Sequence, residues 1–230
     1  MGLLVLDIAT SPVPNLTDLI EDSDVAAPDH YKDPVKIADY IEKARSKFAM
    51  TGALDFDLAR VTAIGTLDPA LGPEPAIALL TTEAEERSCI EALADRIEGP
   101  DLTLVTFNGL AFDLPMLMRR ARYLGIAFPR IQLEHWKSPH IDVCLALRFE
   151  RPQLFKSHSL SFYVRRLGWT DLSKPLSGYE EANVPKTGRW QELATSVRHD
   201  CIGCYRLGLW LDLYAPVQVE PVTETTEVIL

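Results

Sequence analysis

The order of apolar and polar residues along the chain predicts an alternation of strands and helices. Short apolar runs with the length of strands lie at 3–7, 61–67, 75–81 and 101–109. A spacer rich in Pro and Gly separates the second and third runs, which is typical of a hairpin turn. Longer stretches with apolar residues at helical spacing lie at 34–50, 81–97, 112–126, 159–169 and 191–215.

This order of elements favours an α/β fold, in which helices cover a mixed β-sheet. We expect one domain over residues 1–215, with an insertion at about 13–57 that contains the helix at 34–50. The segment 141–149 is compatible with either a short strand or a short helix. Two prolines and the lack of a core pattern predict that 216–230 is a tail.

The composition is that of a globular protein, with 47% hydrophobic and 24% charged residues among 230. No apolar run approaches the roughly 18 residues that cross a bilayer, and the N-terminus has no basic leader, so we expect neither a membrane span nor a signal peptide. We therefore expect the four cysteines to be reduced, in a cytoplasmic setting. Cys201 and Cys204 lack a second pair of zinc ligands at matching spacing, so we expect them to pack as small apolar residues.

The net charge of −10 at first argues against a nucleic-acid partner. The charge is uneven, however, because residues 119–170 contain ten Lys and Arg but three Asp and Glu. Such a stretch can hold a phosphate backbone on an otherwise acidic protein. Charge alone leaves open whether these residues bind phosphates or form solvated helix faces.

Four aspartates, Asp7, Asp113, Asp142 and Asp200, lie where predicted strands end or within or beside predicted helices. Carboxylates at such positions can meet at the rim of an α/β sheet, and their repulsion would be relieved by Mg²⁺ or Mn²⁺. Two such ions can activate water and stabilise the leaving oxygen in phosphodiester cleavage. For each aspartate alone, a turn or a helix cap is the simpler interpretation.

Three segments resemble the motifs of the DEDD superfamily of RNase H-like 3′–5′ exonucleases. LLVLDIATSP resembles the first motif, Asp-x-Glu followed by Thr; VTFNGLAFDLPML resembles the second; VRHDCIGCYRL resembles the third. SPHIDVCLAL and SHSLSFYVRRLGW resemble the segments between the second and third motifs. The resemblance covers about residues 3–215 and is in particular to stand-alone exonucleases similar to the proofreading domain of B-family DNA polymerases.

The resemblance implies an RNase H-like mixed β-sheet flanked by helices, and removal of nucleotides from the 3′ ends of single-stranded DNA or RNA. It implies two divalent metal ions, Mg²⁺ or Mn²⁺, held by Asp7, Asp113 and Asp200, with Asp142 in a supporting role. Replication, repair or defence proteins are the partners that such an enzyme would have. The residues expected to contact nucleic acid are Thr10, Asn108, Gly109, Phe112, Arg119, Lys156 and His158.

The first departure from the pattern is Ala9, which stands where the first motif has Glu. Positions 7 and 9 face the same side of an extended strand, but a methyl group cannot bind a metal ion. We therefore expect strongly reduced activity. Ala9 indicates either a naturally degenerate enzyme or a substituted variant, and the intact residues around it favour substitution.

The second departure concerns the general base, since Ser196 and Thr195 stand where these enzymes carry Tyr or His. His199 is a candidate because it adjoins Asp200, although it points ~100° around a helix from it. Two other functions stay open at this point. One is a catalytically dead module that binds nucleic-acid ends, and the other is a nuclease that cuts duplexes internally.

Overall fold

The computed structural model describes residues 2–99 and 101–216 of the chain. The strands are β1 (Gly2–Pro12), β2 (Ala59–Leu67), β3 (Ala76–Leu79), β4 (Leu102–Thr106) and β5 (Ile141–Asp142). The helices are α1 (Leu16–Leu19), α2 (Pro34–Thr51), α3 (Glu83–Ile97), α4 (Asp113–Tyr123), α5 (Val143–Ala146), α6 (Leu160–Arg166), α7 (Gly178–Ala182), α8 (Val184–Thr187) and α9 (Trp190–Trp210).

The strands form one mixed sheet in the order β3-β2-β1-β4-β5. The hairpin β2–β3 and the pair β1–β2 are antiparallel, whereas β1–β4 and β4–β5 are parallel. The α/β class and the mixed sheet flanked by helices are confirmed.

Alternation along β1 divides the interior into two apolar layers, one on each face of the sheet. Leu4, Leu6 and Ile8 pack into the first layer, beside α3 and α4. Val5 and Ala9 pack into the second layer, beside α6 and α9. Asp7 lies between Val5 and Ala9 in this alternation and therefore faces the α9 side.

Local capping explains where several helices begin. Thr82 accepts a hydrogen bond from the Glu85 backbone, and the Glu85 side chain accepts one in return, so α3 starts with a capping box. Asp33 caps α2 just before Pro34, which fits the first helical turn. These helices coincide closely with the segments that the sequence predicts.

Two local predictions are corrected. The first strand does not end at Asp7 but continues to Pro12, because β2 supplies antiparallel partners as far as Ala59. The segment that begins at residue 141 is neither strand nor helix alone, since β5 leads directly into α5. The predicted tail at 216–230 lies outside the described residues except for Pro216.

The register between β1 and β2 shifts beside Ala9. Ala9 pairs with Ala63 and Thr10 pairs with Val61, so Thr62 is an extra residue in β2. The Thr62 hydroxyl donates to the Ala9 carbonyl oxygen at 3.2 Å. A bulge of this kind changes the direction of the side chains that follow it.

One ion pair is buried between α3 and α4. Arg120 donates from Nε and Nη2 to the two carboxylate oxygens of Glu86, both at 2.9 Å, and the Val61 backbone donates to the same carboxylate. Neither side chain is more than 7% exposed. Arg120 therefore belongs to the core and not to a basic surface.

The cysteines Cys89, Cys144, Cys201 and Cys204 are all free thiols. Cys201 and Cys204 are buried in the layer under α9, which confirms that they pack as small apolar residues. No helix in residues 2–99 and 101–216 has the length and hydropathy that a membrane crossing requires.

Candidate active site

Asp7 lies just beyond the point where β1 loses one of its two neighbouring strands. The parallel partner β4 pairs with β1 only as far as Val5, opposite Val105. The chain then leaves the sheet at Phe107 and Asn108, which line a cleft of about 590 Å³ together with Asp7. The early end of β4 thus opens the sheet beside Asp7.

Asp200 reaches the same cleft because α9 packs unusually close to the sheet. A side chain at Gly65 would place a Cβ 2.6 Å from Val197 Cγ1 and 2.7 Å from Cys201 Sγ. Gly65 is also the antiparallel partner of Asp7. A glycine at this position lets the helix approach, and the approach brings Asp200 beside Asp7.

Asp113 is held against β1 by a backbone hydrogen bond. It is the first residue of α4, is 6% exposed, and accepts a hydrogen bond from the Ile8 backbone at 3.2 Å. This contact fixes Asp113 one residue away from Asp7 along the strand. Asp7 and Asp200, which are distant in sequence, therefore line the same cleft, and Asp113 is bonded to the backbone of the residue that follows Asp7.

The turn before α4 depends on Asn108 and Gly109. Asn108 has a left-handed φ of 65°, a conformation that Asn tolerates better than most residues. A Cβ at Gly109 would lie 2.4 Å from Thr106, so a larger residue does not fit. The Asp142 carboxylate accepts from the backbone of Asn108 at 2.9 Å and of Leu110 at 3.2 Å, which holds the turn in shape.

Burial and mutual repulsion change the acidity of the three aspartates. Burial raises the pKa of Asp7 well above its ordinary value, and the nearby Asp200 and Asp113 carboxylates raise it further. Burial also raises the pKa of Asp113, to about 7, against the opposing effect of the Ile8 hydrogen bond. Burial raises the pKa of Asp200 although Lys174 partly offsets this.

Two charged residues without a sequence signal, Lys174 and Glu181, lie beside Asp200. The Lys174 ammonium contacts the Asp200 carboxylate and lies 2.7 Å from Glu181 Oε1. Burial alone would lower the pKa of Lys174, but the Asp200, Glu181 and Asp7 carboxylates outweigh it and raise the pKa. We call the four residues Asp7, Asp113, Asp200 and Glu181 the carboxylate cluster.

No sequence signal marks Lys174 and Glu181. Lys174 lies in an irregular segment, and Glu181 lies on α7, which has five residues and no apolar periodicity. What distinguishes the two residues is that their charged side chains are only 16% and 15% exposed. This low exposure can be seen only in the folded structure. Arg148 and Ser157 were missed for the same reason, although both line the cleft.

The expected nucleic-acid contacts fall in different places. Asn108 and His158 line the cleft, and His158 stacks on Phe162 with ring centroids 4.1 Å apart. Thr10 is buried and donates to the Ala53 carbonyl oxygen at 2.6 Å, so its hydroxyl is already engaged.

Phe112, Arg119 and Lys156 do not line the cleft. Phe112 packs against Phe56 with ring centroids 5.9 Å apart. Arg119 pairs with Asp57 and lines a separate groove of about 970 Å³. Lys156 is exposed and lines neither the cleft nor this groove.

The candidate base His199 does not line the cleft. Its Nδ1 lies 3.0 Å from the Ser173 carbonyl oxygen, next to Lys174. The helix α9 continues through this position to Trp210. Of the two positions where related motifs carry a base, Thr195 donates to the Gln191 carbonyl oxygen and Ser196 is fully buried.

The carboxylate cluster has the donor atoms that Mg²⁺ and Mn²⁺ prefer, because all of its ligands are hard oxygens. As the side chains stand, no three His, Cys, Asp or Glu residues within 2–99 and 101–216 form a group that could hold a metal ion. The Lys174 ammonium occupies the space between Asp200 and Glu181. The carboxylate oxygens fit a divalent cation by their chemistry, and binding one would require both that Lys174 moves aside and that the carboxylates converge.

Residues 54–187 match a family model described as a predicted 3′–5′ exonuclease related to the exonuclease domain of PolB. The chain belongs to this family. The matched region is more than half of the chain and includes Asp113, Asp142, Lys174 and Glu181, whereas Asp7 and Asp200 lie outside it.

The fold is also similar to a solved structure, the family B DNA polymerase from the hyperthermophilic archaeon Pyrobaculum calidifontis. The TM-score is 0.57 and the identity 16%, over 92% of this chain and 24% of the polymerase chain. The chain thus spans about a quarter of that polymerase, and the likeness concerns the fold. A comparison with curated proteins found no match.

Proposed function

We propose that the protein is a metal-dependent 3′–5′ exonuclease that removes nucleotides from single-stranded DNA or RNA, with a rate lowered by Ala9. One observation carries the proposal. Asp7 and Asp200 line one cleft, and Asp113 is bonded to β1 beside them. Carboxylates from separate parts of an exonuclease-like fold can hold the divalent cations that promote phosphodiester hydrolysis.

Asp7, Asp113 and Asp200 would hold the divalent cations. The resemblance to the exonuclease motifs implies two such ions. When bound, Mg²⁺ or Mn²⁺ would make water a better nucleophile and stabilise the leaving oxygen. Asn108 would position the terminal nucleotide, since its turn is fixed by the Asp142 carboxylate. The general base stays unassigned.

The cleft lining supports a nucleic-acid strand as substrate. Arg148 and His158 border the carboxylates, and Arg148 donates from Nε to Ser157 Oγ at 2.8 Å. A guanidinium and an imidazole at this position can contact the phosphates behind the cleaved bond. A cleft of about 590 Å³ admits a terminal nucleotide, and a single strand reaches such a cleft without duplex opening.

Ala9 would lower the rate, because position 9 faces the same side as Asp7 but presents only a methyl group. Ala9 is 5% exposed and packs in the apolar layer under α9. The loss of a group that acts mainly in the transition state costs orders of magnitude in rate.

The test uses Mn²⁺ and oligonucleotides labelled at the 3′ or the 5′ end, with the protein that carries Ala9, which is the reference and is called the wild type in every comparison, and with Ala9→Glu. We expect slow metal-dependent shortening from the 3′ end by the wild type and at least ~100-fold faster shortening by Ala9→Glu. Asp7→Asn in both backgrounds is the negative control. No shortening from the 3′ end by either protein would overturn the proposal, and cleavage of circular substrates would indicate an internal nuclease instead.

A second candidate is a catalytically dead module that binds 3′ ends. The contact of Lys174 with Asp200 and Glu181 favours it, because an ammonium already neutralises part of the cluster. The module would bind single-stranded oligonucleotides without Mn²⁺ and would not shorten them in either background.

A further inference from the structure

Position 9 cannot recover its missing ligand from its immediate surroundings. Ala9 lies in an apolar layer with Val5, Ala63 and Val197, and its carbonyl oxygen accepts from Thr62. Any replacement for the missing carboxylate must come from another element that reaches Asp7 on the same face of the sheet.

The short helix α7 is such an element, since it packs against β1. Its residue Glu181 is 15% exposed and lies 2.7 Å from the Lys174 ammonium. The same ammonium contacts Asp200. Carboxylate oxygens of Glu181 and Asp200 are therefore at most ~6 Å apart, two hydrogen-bond lengths.

The neighbouring residue Glu180 shows what a structural glutamate on this helix looks like. One Glu180 oxygen accepts from the backbone and hydroxyl of Ser177, and the other from Arg189 at 3.0 Å. In the described part of the chain, by contrast, no backbone N–H donates to Glu181, and its buried Oε1 depends on the Lys174 ammonium at 2.7 Å and on the nearby Ser196 hydroxyl.

A buried hydroxyl lies at the same place. Ser196 is fully buried, and its Oγ makes no hydrogen bond of regular geometry within the described residues, although it is a weak hydrogen-bonding neighbour of the Glu181 carboxylate. It lies one helical turn before Asp200 on α9. Native proteins leave few buried polar atoms without partners, and those that remain often mark a missing water or ion.

Stability alone does not account for Lys174 and Glu181. Removing both charges from water is costly, and apolar residues of similar size would often be as stable or more so. The pair also adds a carboxylate to a region that already contains Asp7 and Asp200. The arrangement is therefore costly unless a cation uses it.

We propose that Glu181 supplies the carboxylate ligand that position 9 lacks, and that Lys174 holds it beside Asp200 until a divalent cation binds. The inference rests on the proposed function. Glu181 lies on α7, whereas the Glu of the first motif would lie on β1. The fourth carboxylate of the site would thus come from a different part of the chain. Lys174 is the positioning residue, since it reaches both carboxylates.

The test is Mn²⁺ binding by isothermal titration calorimetry on the full chain, with Glu181→Gln and the adjacent Glu180→Gln as a matched control. Gln preserves the size of both side chains, and at 180 it retains the capping interaction with Ser177. We expect Mn²⁺ affinity to fall about tenfold or more in Glu181→Gln and to stay unchanged in Glu180→Gln. Unchanged or tighter binding by Glu181→Gln would overturn the inference.

Two further variants keep the test decisive. Ala9→Glu in the Glu181→Gln background should restore Mn²⁺ affinity, because it returns a carboxylate to the same site. If Glu181→Gln does not fold, as judged by circular dichroism, Glu181→Asp replaces it. Because Asp keeps the charge but is shorter, Mn²⁺ affinity should fall, though by less than the roughly tenfold loss expected for Glu181→Gln. If the folded double variant, Ala9→Glu with Glu181→Gln, does not regain Mn²⁺ affinity, Glu181 does not replace the carboxylate that position 9 lacks.

The two proposals fail in different ways. If Asp7→Asn abolishes Mn²⁺ binding but Glu181→Gln has no effect, the site binds metal and only the role of Glu181 is wrong. If the wild type and Ala9→Glu bind no Mn²⁺ and shorten no oligonucleotide, the metal-dependent function itself is wrong, and the role of Glu181 with it.

Discussion

The two faces of the central sheet each bury charged residues, but the two groups are built differently. On the face of α3 and α4, Glu86 and Arg120 form a closed pair with two hydrogen bonds of 2.9 Å. On the face of α9, one ammonium, that of Lys174, is shared between Asp200 and Glu181 beside Asp7.

This difference indicates that the Glu86–Arg120 pair serves the fold, whereas the group around Lys174 serves a function. In the first group one cation meets one anion, and the Val61 backbone donates to the same carboxylate. In the second group, negative charge exceeds positive charge and the carboxylates raise each other's pKa. Such an excess destabilises the fold without a counter-ion, so we infer that it is retained for binding a cation.

The largest expected effect comes from breaking the closed pair. Arg120→Ala leaves Glu86 buried without a counter-charge, so the free energy of unfolding should fall by ~3–5 kcal/mol. Urea unfolding followed by circular dichroism measures the change. Arg119→Ala, which removes an exposed pair with Asp57, is the control and should cost ~1 kcal/mol or less. If the free energy of unfolding of Arg120→Ala falls by less than ~1 kcal/mol, the Glu86–Arg120 pair does not stabilise the fold more than an exposed pair does.

The carboxylate cluster should make stability depend on pH in the metal-free protein. The folded state raises the pKa of Asp113 from 3.8 to about 7, so the folded protein binds this proton more tightly than the unfolded chain. The resulting stabilisation is complete below pH 3.8 and is lost as the pH rises through about 7. We expect an effect on the order of a few kcal/mol.

Asp113→Asn tests this pH dependence, because it removes the titrating group. Thermal unfolding between pH 4 and pH 8 without divalent cations should show a shallower loss of stability in the variant than in the wild type. Mn²⁺ should restore stability to the wild type mainly at the upper end of this range. Superimposable pH profiles for the two proteins would contradict the prediction.

A smaller effect is expected where α9 packs on the sheet opposite Asp7. Gly65→Ala places a Cβ within 3 Å of Val197 and Cys201, so the helix must shift, at a cost of ~1–3 kcal/mol. Gly178→Ala, whose Cβ would meet no atom within 4 Å, is the matched control. Chemical unfolding measures both, and equal stability of the two variants would show that the close approach is not required.

The smallest effect on stability should come from Asp200→Asn without metal. This change removes the contact of Asp200 with Lys174 but also the repulsion between Asp200 and Asp7, and it leaves Lys174 paired with Glu181. The two effects oppose each other, so the free energy of unfolding should change by less than ~1 kcal/mol. Stabilisation by Mn²⁺, read from the melting temperature, should disappear in the same variant. A loss as large as that of Arg120→Ala would mean that Asp200 serves the fold as Glu86 does.

Much of the fold follows from local pattern. The helix α3 has its capping box and its apolar periodicity within one segment, and β2 and β3 flank a turn. The strand β1 was predicted too short, because the polar residues after Asp7 gain their strand conformation from pairing with β2. The helix α7 was missed, since five residues carry no period.

The residues of the site also fall into those that the motifs predict and those that only the structure reveals. Motifs predict Asp7, Asp113 and Asp200 as site residues. In the structure Asp7 and Asp200 line one cleft and Asp113 accepts a hydrogen bond from the Ile8 backbone, and their role stays a prediction. Thr10 bonds to Ala53 and Arg119 pairs with Asp57, and the contacts of both residues with nucleic acid stay predictions. These partners are distant in sequence, so no local pattern reveals them.

The sequence by itself determined the order of strands and helices and the absence of a carboxylate at Ala9, because periodicity, caps and motif spacing are properties of neighbouring residues. Only the tertiary structure decided that Lys174 and Glu181 lie beside Asp200. The physical reason is that burial and charge balance depend on residues brought together from separate elements. Whether a carboxylate is surplus can be judged only when all of its neighbours are in place.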